Sequence, residues 1–215
     1  MSFDLLAPHY RWMEFILAGG KLQRSRTAHL KSIREPKRAL LLGEGNGRFL
    51  VELLSMHSQA RVTCLDASQR MLDCARSRIV KHGMDGGSVE FIHADILEWL
   101  PGSQKFDLIV TNFFLDCFTP QQIEMVVEKL AGAATPEAQW LLADFREPPA
   151  GMRKLRAKLI LQSMYLFFRA VTRLPASRLT PPDSYLRRHR FELVQRSQAD
   201  WGLLHSDLWN RSGLC

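Results

Sequence analysis

Cysteine is scarce in this 215-residue chain, and none of the four (Cys64, Cys74, Cys117, Cys215) forms a CxxC pair. Neither a disulfide scaffold nor a zinc site is therefore expected, and no metal site is indicated. No apolar run approaches the ~18 residues of a membrane span. The opening MSFDLLAPHY lacks a basic start followed by an apolar stretch, so no export signal is expected and the compartment expected is the cytoplasm. Repeats and low-complexity tracts are absent. Acidic residues are missing from one long window, 150–180, which carries seven bases: Arg153, Lys154, Arg156, Lys158, Arg169, Arg173 and Arg178. That window equals the whole formal excess of +7 and favours an anionic partner.

What remains is an ordinary globular composition, with 46% hydrophobic and 24% charged residues, and a length suited to one domain. The chain is organised around ALLLGEGNGRF at 39–49. An apolar run (39–42) predicts a buried strand. Gly43, Gly45 and Gly47 then predict a sharp turn, and Phe49, Leu50, Leu53 and Leu54 recur at helical spacing. Strand, glycine turn and helix form the local geometry that lays a nucleotide against bare backbone. A tight corner without a ligand has the same pattern.

The next apolar run, RVTCLD, ends in Asp66. A carboxylate at the end of a second strand is placed to accept both hydroxyls of a ribose, or alternatively caps the following helix. A third strand (88–93) runs into Asp95 and Ile96. A fourth (106–110) runs into Asn112, Phe113, Phe114 and Asp116.

The ordered series GEGNGRF, LDAS, HADILEW and FDLIVTNFFLDCF resembles the motifs of class I S-adenosylmethionine-dependent methyltransferases. The nearer likeness is to the branch holding the ubiquinone/menaquinone C-methyltransferases and many small-molecule methyltransferases. The resemblance implies a Rossmann-like, doubly wound α/β fold. Its mostly parallel seven-stranded sheet would end in an antiparallel hairpin and carry a helical cap. It divides the chain into an N-terminal cap (1–34), a cofactor core (38–146), a basic helical cap (150–180) and a hairpin (188–210).

The cofactor implied is S-adenosylmethionine. Its amino-acid end falls on Gly43, Glu44, Gly45, Asn46 and Gly47. Leu41 stands where the family usually has an acid, so Glu44 is the expected contact to the methionine amino group. Asp66 would hold the ribose. Asp95, with the backbone of Ile96, would meet the adenine, and Ala67 and Met71 would line the purine slot. Tyr10 and Arg26 would reach the sulfonium and the methionine carboxylate from the leader, unless they are a packing residue and a solvated charge. Asn112 would fix cofactor or substrate, and Phe113, Phe114 and Phe118 would form an apolar acceptor pocket.

Asp116 is the first candidate general base and His205 the second. Their plainer alternatives are a helix cap and a hairpin histidine. Residues 151–174 read as one amphipathic helix with Leu155, Leu159, Met164, Phe167, Phe168 and Val171 on its apolar face. Such a helix meets anionic lipid or a lipophilic acceptor, or simply packs on one side.

The expected activity is methyl transfer to a small, lipophilic or aromatic acceptor by in-line displacement. An RNA methyltransferase and a non-catalytic cofactor-binding protein are the rivals. The RNA reading lacks an N/D-P-P-aromatic motif after the fourth strand, so nucleic acid is not the expected partner. A nicotinamide oxidoreductase fits worse, because the terminal hairpin is wrong for it. Sequence alone does not fix the oligomeric state.

Overall fold

The computed structural model describes residues 20–84, 86–172, 176 and 178–213. Residues 1–19 of the expected N-terminal cap, Tyr10 among them, and Cys215 lie outside the described residues. The described chain begins with α1 (Lys21–Thr27), β1 (Arg38–Leu42), α2 (Arg48–Met56), β2 (Arg61–Asp66), α3 (Gln69–Lys81) and β3 (Val89–His93). It continues through β4 (Phe106–Asn112), α4 (Pro120–Ala133), β5 (Ala134–Phe145), α5 (Gly151–Thr172), α6 (Asp183–Arg188), β6 (Phe191–Ala199) and β7 (Leu204–Arg211).

The seven strands form one sheet in the order β3-β2-β1-β4-β5-β7-β6. The first five strands run parallel, and β7 is antiparallel to both β5 and β6. Parallel strands covered on both faces read as continuous apolar runs. Accordingly Ala39, Leu40, Leu41 and Leu42 are all buried. Leu40 and Leu42 join one core with Trp140 and Leu142, while Ala39 and Leu41 join the opposite core with Phe49 and Leu53. Trp140 donates its indole N–H to Thr111 Oγ1 at 2.8 Å, which satisfies the one polar atom of a fully buried ring.

The helix after the glycine turn buries Phe49, Leu50, Leu53 and Leu54, the four residues its spacing selects. Elsewhere the periodicity misleads. On α3, apolar Val80 is 64% exposed, because Met71, Leu72, Ala75 and Ile79 already define the inner face and Val80 lies one residue round from it. Leu155 and Leu159, expected on the packed face of α5, point outward, and Ala157, Leu161, Met164 and Tyr165 take the inner face. β5 begins at Ala134, directly after α4, and its extended backbone accommodates Pro136. Within the expected hairpin (188–210), Trp201 lies in a short turn (Asp200–Gly202) between the two strands.

The hairpin is fixed by charge. Arg196 on β6 donates two bonds to the fully buried Asp207 on β7, at 2.7 and 2.6 Å, and one to Asp183 on α6 at 2.8 Å. A bidentate guanidinium–carboxylate pair compensates the buried charge that either partner alone would leave.

Candidate active site at the carboxyl edge of the sheet

Strand order reverses between β1 and β4, and in open α/β sheets ligands bind at the carboxyl ends beside such a reversal. Register sets what stands there. Leu42 pairs with Leu65 and with Thr111, so Gly43, Asp66 and Asn112 are neighbours at the edge. Asp66 pairs with His93, which brings the β3 exit toward Asp95. Asn112 pairs with Ala143, and Asp144 pairs with His205. The edge therefore reads Asp95, Asp66, Gly43, Asn112, Asp144, His205 across the sheet.

The glycine turn forms as expected, with φ of +59° at Gly43, +68° at Gly45 and +78° at Gly47. Two of the three also serve internal packing. A Cβ on Gly43 would sit 2.5 Å from the Phe114 ring, and one on Gly47 would sit 2.7 Å from the Ala75 backbone of α3. Glu44, inside the turn, accepts from the Phe49 and Leu50 N–H groups at 2.9 and 3.0 Å through one oxygen, capping α2. Burial pushes its carboxyl up to about 7, against the two amides and Arg26, which favour the ionised form. Asn46, the remaining turn residue, accepts from Arg78 through its backbone carbonyl at 2.7 Å.

The plainer alternatives for two acids lose ground to their neighbours. Ser68, not Asp66, caps α3 by accepting from Met71 N–H, while Asp66 accepts from Ser68 N–H at 2.9 Å. Thr119, not Asp116, caps α4, in a reciprocal capping box with Gln122. Asp95 accepts from Leu97 N–H at 2.9 Å and so closes its own turn. Ile96 and Met71 are buried, and Ala67 accepts from the His93 ring at 3.1 Å. Arg26 is not a solvated helix charge: it is 5% exposed, and its guanidinium lies over the Phe113 ring at 5.3 Å.

Asn112 is buried with neither amide atom hydrogen-bonded within the protein. Such a group costs about 1–3 kcal/mol unless something outside the protein partners it. Phe113 follows with φ +54°, uncommon for an aromatic residue and a mark of local strain at a functional edge. This kink sets Phe113 against Phe145 at 5.3 Å between ring centres, and Phe114 against Phe118 at 5.1 Å.

Beyond the aromatic rings lies a group of buried acids. Asp116 is 7% exposed, and burial pushes its carboxyl up to about 6. The Tyr165 hydroxyl of α5 donates to the Asp116 carbonyl at 3.1 Å, and the Cys117 thiol approaches Oδ1 at 3.6 Å. Asp144 is 2% exposed and accepts from Phe145 N–H at 2.7 Å. Burial first, and then the Asp116 charge, hold its carboxyl well above the usual range. The sequence reading passed over Asp144, although it lies one residue before the end of an apolar strand, close to the place Asp66 takes on its own. His205, the second candidate base, is buried in the hairpin beside this pair. Its Nδ1 lies 3.2 Å from Asp207 Oδ2, outside hydrogen-bonding direction. Among the described residues no cluster of His, Cys, Asp and Glu could hold a metal ion.

The donor set suits S-adenosylmethionine: a buried cation for its carboxylate, a carboxyl for its ammonium, an acid on each of β2 and after β3 for its sugar and base, and an orphaned amide between. A parallel sheet with this order, this glycine turn and a terminal antiparallel strand pair defines the class I S-adenosylmethionine-dependent methyltransferase architecture.

Comparison with known proteins agrees. Residues 39–153 match the family described as a methyltransferase domain. The chain belongs to that family. It is 28% identical over 151 residues to a demethylmenaquinone methyltransferase of Thermus thermophilus, covering 69% of this chain and 66% of the relative. It is 28% identical over 104 residues to a carboxy-S-adenosyl-L-methionine synthase of Nautilia profundicola, covering 48% and 42%. Both matches span less than two thirds of the relative's own length. An O-methyltransferase family protein from Burkholderia thailandensis shares the fold, with a TM-score of 0.69 at 16% identity over 96% of this chain and 60% of that one.

Proposed function

We propose that this protein transfers a methyl group from S-adenosylmethionine to a small, lipophilic or aromatic acceptor. The observation that carries the proposal is Asn112, a buried amide without a protein partner, between the glycine turn and the Asp116/Asp144 pair. Bound S-adenosylmethionine supplies an activated methyl group. Asp66 holds the ribose, Asp95 and the Ile96 backbone hold the adenine, and Ala67 and Met71 wall the purine slot. Arg26 neutralises the methionine carboxylate, and Glu44 with the turn backbone meets the ammonium.

Phe113, Phe114 and Phe118 exclude water and seat the acceptor. Holding two reactants aligned in a dry site removes most of the entropic barrier, so few further groups are needed. Asp116, beside Asp144, takes the acceptor's proton. A small-molecule acceptor is the partner in this reading.

Two measurements check it. Asp66→Ala is expected to weaken S-adenosylhomocysteine binding by about 10-fold or more, because charge-assisted hydrogen bonds to the sugar are lost; an unchanged affinity removes the ribose role. Incubation with methyl-labelled S-adenosylmethionine should label a component of an organic-soluble cell extract. Label in total RNA instead would favour the nucleic-acid reading, and cofactor binding with no labelled product a non-catalytic one.

A further inference from the structure

Helix α5 is apolar on two opposite faces. At about 100° per residue, Ala157, Leu161, Met164 and Tyr165 form one stripe and are buried. Met152, Leu155, Leu159 and Leu166 form a second stripe on the far side and are 81%, 55%, 58% and 74% exposed. Four large apolar side chains aligned in solvent mark an interaction face.

Its surroundings are basic. Arg153, Lys154 and Lys158 are exposed, and α5 contains no acid. Beside it stands Trp201, 69% exposed, with φ +62°. Asp200, Trp201 and Gly202 all have positive φ. The strained turn is clamped by Asp200, which pairs with Lys21 at 2.6 Å and with Arg156 of α5 at 3.0 Å. The Arg156 guanidinium lies 5.8 Å from the Trp201 ring centre. Two ion pairs on a nearly buried aspartate thus hold an indole outward at the flank of the apolar stripe.

We propose that the outer face of α5 and Trp201 dock the protein onto an anionic lipid bilayer. Apolar side chains enter the acyl boundary, the indole sits at the headgroup level, and the flanking bases meet lipid phosphates. A second copy of this face would bring bases against bases, which disfavours a two-fold dimer through it. A nucleic-acid backbone would satisfy the bases but leave the leucines in water. No described helix is long and apolar enough to cross a membrane. The inner face of the same helix sets Tyr165 on Asp116. A lipophilic acceptor leaving the bilayer would then arrive beside the carboxyl pair; this last step rests on the methyltransferase reading, whereas the docking does not.

The test is co-sedimentation of the full chain with vesicles of phosphatidylglycerol and phosphatidylcholine against phosphatidylcholine alone. Binding should be roughly 10-fold or more stronger to the anionic vesicles and should weaken with salt. Leu155→Glu/Leu159→Glu, and separately Arg153→Glu/Lys158→Glu, should each lower it roughly 10-fold, with the circular dichroism spectrum and S-adenosylhomocysteine affinity unchanged. No binding to anionic vesicles at low salt, or equal binding by the variants, overturns the proposal. So does a concentration-dependent dimer that Leu155→Glu/Leu159→Glu dissolves. S-adenosylhomocysteine affinity measured on the same samples separates failure of docking from failure of the methyltransferase reading.

Discussion

An Asp116→Asn variant is expected to lose methyl transfer by about 100-fold or more while keeping its affinity for S-adenosylhomocysteine. The amide matches the carboxyl in shape but does not accept a proton. The same change should have the opposite sign on stability. Asp116 is buried, and its carboxyl is pushed from an ordinary 3.8 up to about 6. The folded chain therefore holds this proton more tightly than the unfolded chain does. The stabilisation is fully present below about 3.8 and is lost as pH rises through about 6. Above that, keeping the ionised group buried costs stability, on the order of a few kcal/mol.

Asp116→Asn removes this cost, so the variant should melt several degrees higher than wild type at pH 8 and show little difference at pH 4. In wild type, kcat/KM should climb through about pH 6 as the base loses its proton. Unaltered turnover would make Asp116 structural. A lower melting temperature at pH 8 would mean that the ionised carboxylate is stabilised where it lies. Lost activity with gained stability is the signature of a group kept for chemistry rather than packing.

Gly47→Ala should destabilise the fold by about 2–5 kcal/mol. Its φ of +78° disfavours any Cβ, and the new carbon would lie 2.7 Å from the Ala75 Cα of α3. That neighbour is helix backbone and cannot move aside without shifting α3 against α2. Urea denaturation should show a lower midpoint at unchanged slope; a loss under 1 kcal/mol would show that the α2–α3 contact yields freely. Gly43→Ala offers the contrast. There the obstacle is the Phe114 side chain at 2.5 Å, which can rotate, so the damage should fall on the acceptor pocket more than on the fold.

The sheet and its edge were legible for a physical reason. Buried parallel strands are uninterrupted apolar runs, and each run is broken at the sheet edge by a glycine or a polar residue. ALLL before the glycines, TCLD66 and FDLIVTN112 all show this. Leu41, standing in place of an acid, also has an account: it is fully buried against Phe49 and Leu53, and Glu44 brings the carboxyl from inside the turn. Asp144 follows nearly the same rule as Asp66, one residue before β5 ends at Phe145.

α5 defeats periodicity because both of its stripes are apolar at helical spacing. Spacing identifies a helix but does not say which stripe turns inward, so Leu155 and Leu159 were placed on the wrong side. β6 extends to Ala199 through polar residues, since an edge strand with half-exposed side chains carries no apolar run. The Trp201 turn is invisible in sequence: only its dihedral angles and the ion pairs of Asp200 reveal it.

The central claim is that the bend after Leu42 receives an adenosyl sulfonium. Calorimetric titration of the full chain with S-adenosylhomocysteine, with NADH as the control, tests it most directly. The account predicts saturable one-to-one binding of the nucleoside thioether that Asp66→Ala weakens, and no heat with NADH. No saturable binding, or equal binding of NADH, would contradict it.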